Sequence, residues 1–135
     1  MRRIVHMKNN GTIWIKGAID LLTGSKRIKD ILIIKLSGEL DHHHADDIRE
    51  SLDMQLEDSS IRHLIFDLRN LHFMDSSGIG VFIGRYKTIN KRGGQVCITH
   101  ISSQLARIMD LSGLYRILKV YDTVENAVKD IRGNQ

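Results

Sequence analysis

Four runs of branched apolar residues, "DILIIKLSGEL" (30–40), "HLIFDL" (63–68), "QVCITH" (95–100) and "RILKVYD" (116–122), are each followed closely by a segment of helical periodicity. Alternation of this kind constrains topology more than any other feature of the chain. Parallel strands need a crossover, a helix fills it, and short loops between them leave few arrangements. The pattern predicts an α/β fold: a single domain with a mostly parallel central sheet and four helices, in the order ββαβαβαβα.

The helices are read from their stripes. After "GELDHHHADD", Ile48, Leu52 and Leu56 recur every four residues, with Asp46 and Asp47 suited to a helix N-terminus, and the loop "EDSSIR" follows. Ile79, Phe82, Ile83, Tyr86 and Ile89 line one side of a second helix that stops at Gly93-Gly94. "SSQLARIMDLSG" reads as a third, capped by Ser102 or Ser103 with Leu105, Ile108 and Met109 inward, and "TVENAVKDIR" as a fourth capped by Thr123.

The first thirty residues are less patterned. "GTIWIKG" and "AIDLLTG" have short strand character, and one of them is expected to pair with the next strand, whose run ends at Ser37-Gly38. Residues 1–10 read as a mobile tail, residues 1–17 as an N-terminal extension and 18–135 as the domain.

Hydrophobic residues make up 41% of the 135 and charged residues 27%, which is globular composition. The net charge of +4 comes from residues 1–30, where seven Lys/Arg face Asp20 and Asp30; the remainder has 13 basic and 14 acidic residues. With aromatic residues at only 5%, this is not the basic, stacking surface of a nucleic-acid domain. No membrane span or signal peptide is read, and the chain is expected to be cytoplasmic. The single cysteine, Cys97, lies in a strand run and reads as a core thiol.

The chemistry concentrates in "FMDSSGIGVFIG" (73–84), where a strand passes into a helix. Crossovers put strand C-termini and helix N-termini on one rim of the sheet, so Asp75, Ser76 and Ser77 fall where function gathers. A helix N-terminus favours a phosphate, whether bound or attached to a serine. Gly78 would let another backbone come close. The plainer reading is a helix cap, which needs only one of these residues. A nucleophilic serine is disfavoured, because "DSSGIG" is not G-x-S-x-G and no histidine is spaced to act as base. A phosphate loop fails for want of G-K-[ST]. His42, His43 and His44 invite a metal, but consecutive side chains diverge, and a polar loop is the better reading. Gly80 and Gly84 are read as letting the second helix approach the sheet, and Arg85, Lys87, Lys91 and Arg92 as its solvated basic face.

"GELDHHHADDIRESL", "IRHLIFDLRNLHFMDSSGIGVFIGRYKTINKRGGQV" and "SSQLARIMDLSGLYRILKVYDTVENAV" together resemble the anti-sigma factor antagonists of the STAS domain family over about residues 18–132. "GELDHH" and the "DSSG", "GV" and "GRYK" positions are similar to its sporulation branch. The resemblance implies a STAS-like fold and a non-enzymatic switch without cofactor or metal. In it, the unphosphorylated protein binds an anti-sigma factor serine kinase and releases the sporulation sigma factor sigma-F. Phosphorylation of the first "DSSG" serine, here Ser76, inactivates it, and a PP2C-type phosphatase restores it. The "GELD" aspartate, Asp41, is implied in the partner surface. With Asp41, the expected partner-binding residues are Met74, Asp75, Ser76, Ser77, Gly78 and Ile79: a polar rim including Arg85 and Lys87 around an exposed Ile79 or Met74, with Ser77 capping the helix. The alternatives are an antagonist of a general stress-response sigma pathway and a small nucleotide-binding or hydrolytic domain. No nucleic acid and no membrane partner is expected.

Overall fold

The computed structural model describes residues 22–133 and the backbone of two short strands, β1 (Val5–Met7) and β2 (Ile13–Ile15), which pair antiparallel with each other. The rest of the 1–17 extension lies outside the described residues. The described residues form a five-stranded sheet whose spatial order is also chain order: β3 (Leu22–Ile28), β4 (Ile31–Leu40), β5 (His63–Met74), β6 (Val96–Thr99) and β7 (Lys119–Tyr121). The β3–β4 pair is antiparallel and the other three are parallel. The strand drawn from "AIDLLTG" is therefore the one that pairs with β4, through the register Leu22 to Leu36.

Four α-helices occupy the described crossovers and C-terminal end: α1 (Ala45–Gln55), α2 (Ser76–Lys91), α3 (Ser103–Ser112) and α4 (Val124–Gly133). Alternation along the strands divides the core in two. Leu32, Ile34 and Leu36 of β4 and Leu64, Phe66 and Leu68 of β5 face α1, α2 and α3, where Phe66 meets Phe82 edge-on at 4.9 Å. Ile31, Ile33, Ile65 and Cys97 face the other way, onto Ala127 and Ile131 of α4. Strands buried on both faces read as unbroken apolar runs, which is why "LIFDL" and "VCIT" show no polar alternation. Cys97 is a core thiol, as expected, and burial pushes its pKa up to about 12.

Three boundaries differ from the sequence reading. The β4 run does not end at Ser37-Gly38 but bulges there, with Gly38 at φ 86°, and continues to Leu40. That continuation gives β5 a partner as far as Met74, so the strand is twelve residues long and delivers its last residue directly to the start of α2. At the other end of the sheet the "RILKVYD" strand shortens to three residues, because Leu114–Arg116 forms a turn of 3-10 helix that buries Leu114 beneath α2 and α3.

Candidate functional site

The parallel strands bring Leu40, Met74, Thr99 and Tyr121 to one rim, with the N-termini of all four helices. Two adjacent crossings at that rim are tied together. Asp75, in extended conformation at the N-cap of α2, accepts the N–H of Ser77 at 2.9 Å and of Gly78 at 3.4 Å on Oδ1. Its Oδ2 accepts the backbone N–H of His42, from the β4–α1 loop, at 3.1 Å, and its own N–H donates to the Leu40 carbonyl at 3.3 Å. The neighbouring loop is organised by Asp41. Its Oδ1 accepts from the His43 N–H at 3.0 Å and His44 Nδ1 at 2.9 Å, while its carbonyl accepts from the N–H of His44 and of Ala45.

Both carboxylates are partly covered, with 17% of the Asp41 side chain and 29% of the Asp75 side chain exposed. Partial burial pushes each pKa up. The His44 side chain and the His43 N–H outweigh it at Asp41, and the N–H groups of Ser77, Gly78 and His42 outweigh it at Asp75, so both carboxyls stay below the usual carboxylate range. They persist as anions at the rim.

Next to Asp75, Ser76 is exposed at the first position of α2, and Ser77 and Ile79 are half-covered. Asp41, Asp75, Ser76 and Ser77 are thus gathered at one place, while other expectations need correction. Met74 is not exposed: it is 2% accessible, turned into the core because its register opposite Leu40 points it at the helices. Gly78 is buried too, and the backbone it approaches is the chain's own, for a Cβ there would stand 2.5 Å from the Leu40 oxygen. Gly80 and Gly84 have nothing within 4 Å of such an atom, so close packing requires neither. The cap of α2 is Asp75 and not Ser77, whose N–H is one of the capped groups.

The basic face of α2 is also smaller than predicted. Arg85 is buried at 6% exposure, with Nε 3.2 Å from Asp53 of α1. Arg92 is drawn onto the α1–β5 loop, donating to the carbonyls of Leu56, Asp58 and Ile61. Lys87 and Lys91 stay exposed. The three histidines do not all diverge as expected: His44 turns to bond Asp41, but His42 faces Asp75 with Nδ1 3.7 Å from Oδ2 and the His43 ring lies against His42 at 4.0 Å. Sequence reasoning missed the tie from His42 to Asp75, because it links residues 33 apart through a register that depends on the bulges.

The chain is similar to known proteins. The STAS domain family profile matches residues 25–127. The anti-sigma F factor antagonist of Paenibacillus polymyxa is 42% identical over 76% of this chain and 88% of its own. The anti-sigma-B factor antagonist of Bacillus subtilis is 31% identical over 77% of this chain and 94% of its own. Among solved structures, the Bacillus cell fate determinant SpoIIAA in its phosphorylated form superposes with a TM-score of 0.64 at 27% identity, covering 79% of this chain and 96% of that one.

Proposed function

The chain belongs to the STAS domain family, and from that premise we propose that it is an anti-sigma factor antagonist whose binding rim is switched by phosphorylation of Ser76. The observation that carries the proposal is the placement of Ser76: an exposed hydroxyl at the start of α2, beside Asp75 and on the same rim as Asp41, two carboxylates already fixed by internal hydrogen bonds. In this reading the unphosphorylated rim, with Asp41, Asp75, Ser76, Ser77 and Ile79, docks an anti-sigma factor that is also a serine kinase, and sigma-F is released. Met74 and Gly78 lie beneath that surface and support it. A PP2C-type phosphatase resets the protein, which works in the cytoplasm as a binding module and not as an enzyme. Residues 18–135 form the working domain, with 1–17 as an appendage.

The physical reasoning is electrostatic. Phosphorylation adds about −1.5 to −2 charges at pH 7. In a complex those charges must lose water beside Asp75 and Asp41, where like-charge juxtaposition is costly. The free protein keeps them hydrated, so modification blocks binding without unfolding the fold.

The test is intact and peptide-level mass spectrometry after incubation with a cognate anti-sigma kinase and Mg-ATP, for wild type, Ser76→Ala and Ser77→Ala. One phosphate, absent only from Ser76→Ala, is expected. An unmodified wild type beside a phosphorylated control substrate would overturn the proposal. Similarity to an anti-sigma-B factor antagonist favours a second reading, a general stress-response pathway. Titration against anti-sigma F and anti-sigma-B kinases separates the two, and the tighter complex is expected with the sigma-F type.

A further inference from the structure

Asp75 already fills the place that an anion would take at the start of α2. Its Oδ1 holds the N–H groups of Ser77 and Gly78, and the Ile79 N–H is committed to the Asp75 carbonyl at 3.1 Å. A phosphate on Ser76 therefore meets a capped helix end that carries a carboxylate, not a row of open donors. Three phosphate oxygens and nearly two charges are left to water and to any cation within reach.

His42 is placed to be that cation. Its backbone N–H binds Asp75 Oδ2 at 3.1 Å, which fixes the loop against the residue next to Ser76. Its imidazole stays at the surface, 69% exposed, with Nδ1 3.7 Å from the same oxygen. The groups around it are Asp75 from the β5–α2 junction and Asp41, His43 and His44 from its own loop. His44 is already engaged by Asp41, and the His43 ring backs His42 at 4.0 Å with a 37° tilt.

We infer that His42 is the counter-charge of the switch: its protonated imidazole pairs with the phosphate on Ser76, so the "GELDHHH" loop and not the helix end holds the modified state. The inference rests on Ser76 being the phosphorylated residue. A cation beside the phosphate favours its doubly ionised form.

The experiment uses the full chain with phosphoserine installed at position 76 during translation, so that its outcome does not depend on any kinase. The 31P resonance is followed across the second ionisation of the phosphate, near pH 6. The midpoint is expected lower in the wild type than in His42→Gln by about half a unit, the size of an exposed ion pair. His42→Lys, which restores a cation, is expected to bring it down again; a role of His42 in loop structure alone would give neither the shift nor its recovery. Equal midpoints in wild type and His42→Gln overturn the inference, and displaced Ser77 and Gly78 amide resonances would then place the phosphate on the helix end in place of Asp75. A kinase that never modifies Ser76 is a separate result: it removes the proposed function and leaves this titration unchanged.

Discussion

Alanine at Gly78 and alanine at Gly80 place the same methyl group on the same helix two residues apart, and the structure assigns them opposite signs. At Gly78 the new Cβ stands 2.5 Å from the Leu40 oxygen, 2.9 Å from Leu40 Cγ and 3.0 Å from Met74 Cβ. The closest of these is backbone at the end of β4, held by pairing with Met74 and by the Asp75 N–H. Relief therefore requires the start of α2 to move off the strand. Overpacking costs about 1–3 kcal/mol, and a 2.5 Å approach to a fixed backbone oxygen belongs in the upper part of that range, about 2–3 kcal/mol; against a gain of roughly 1 kcal/mol in helix propensity, this leaves a net loss of about 1–2 kcal/mol. At Gly80 and Gly84 nothing lies within 4 Å, and only the propensity gain of about 0.5–1 kcal/mol remains. In a domain of this size 1 kcal/mol moves Tm by roughly 3–4 °C. Scanning calorimetry should find Gly78→Ala melting about 3–8 °C below wild type and Gly80→Ala about 2–4 °C above it. A Gly78→Ala protein that melts at or above wild type would refute the contact between α2 and the end of β4.

Other outcomes test other parts of the molecule. The Asp58 carboxyl is held down to about 2 by the Ser60 hydroxyl, Arg27 and the Ser60 N–H; carboxyl NMR should show Ser60→Ala raising it further than Arg27→Ala. Its folded value is depressed, so its contribution is complete above the ordinary value of 3.8 and lost as pH falls through about 2. Arg85→Met is expected to leave the urea midpoint unchanged or raise stability by about 1 kcal/mol, because Nη1 of this buried guanidinium finds no hydrogen bond among the described residues; a loss beyond about 2 kcal/mol would mean that the Asp53 pair holds α1 to α2. Met74→Ala should cost about 2–5 kcal/mol as a core deletion, and unchanged stability would return Met74 to the surface. Ser76→Asp is expected to weaken the proposed complex with an anti-sigma factor at least about tenfold, and calorimetric titration showing wild-type affinity would count against the electrostatic block.

How much of this was legible depended on how local the cause was. The strands and helices follow from period and branching; Thr123 caps α4 as its position predicts, through the Asn126 N–H, and of the two serines offered for α3 it is Ser102 that caps, through the Leu105 N–H. The capping of α2 was harder, since Asp75, Ser76 and Ser77 are all good cap residues. Extended backbone at Asp75 decides it, and that comes from β5 running on to Met74. The length of β5 depends on two bulges in its pairing with β4, and bulges have no period. Burial of Arg85 and Met74 was hidden for the same reason: each follows from what lies opposite, Asp53 on α1 and Leu40 on β4.

The sheet's order in space, β3 to β7, repeats its order along the chain. No strand has to be inserted between two already formed, so each one emerging from a ribosome finds its neighbour waiting and extends a growing edge. The part of the rim that carries Asp41 and Ser76 is made once α2 has been synthesised, with β6, α3, β7 and α4 still to come. Assembly in that sequence keeps few unpaired edges open at a time, and it leaves α4 as the last piece to close over the second face of the sheet.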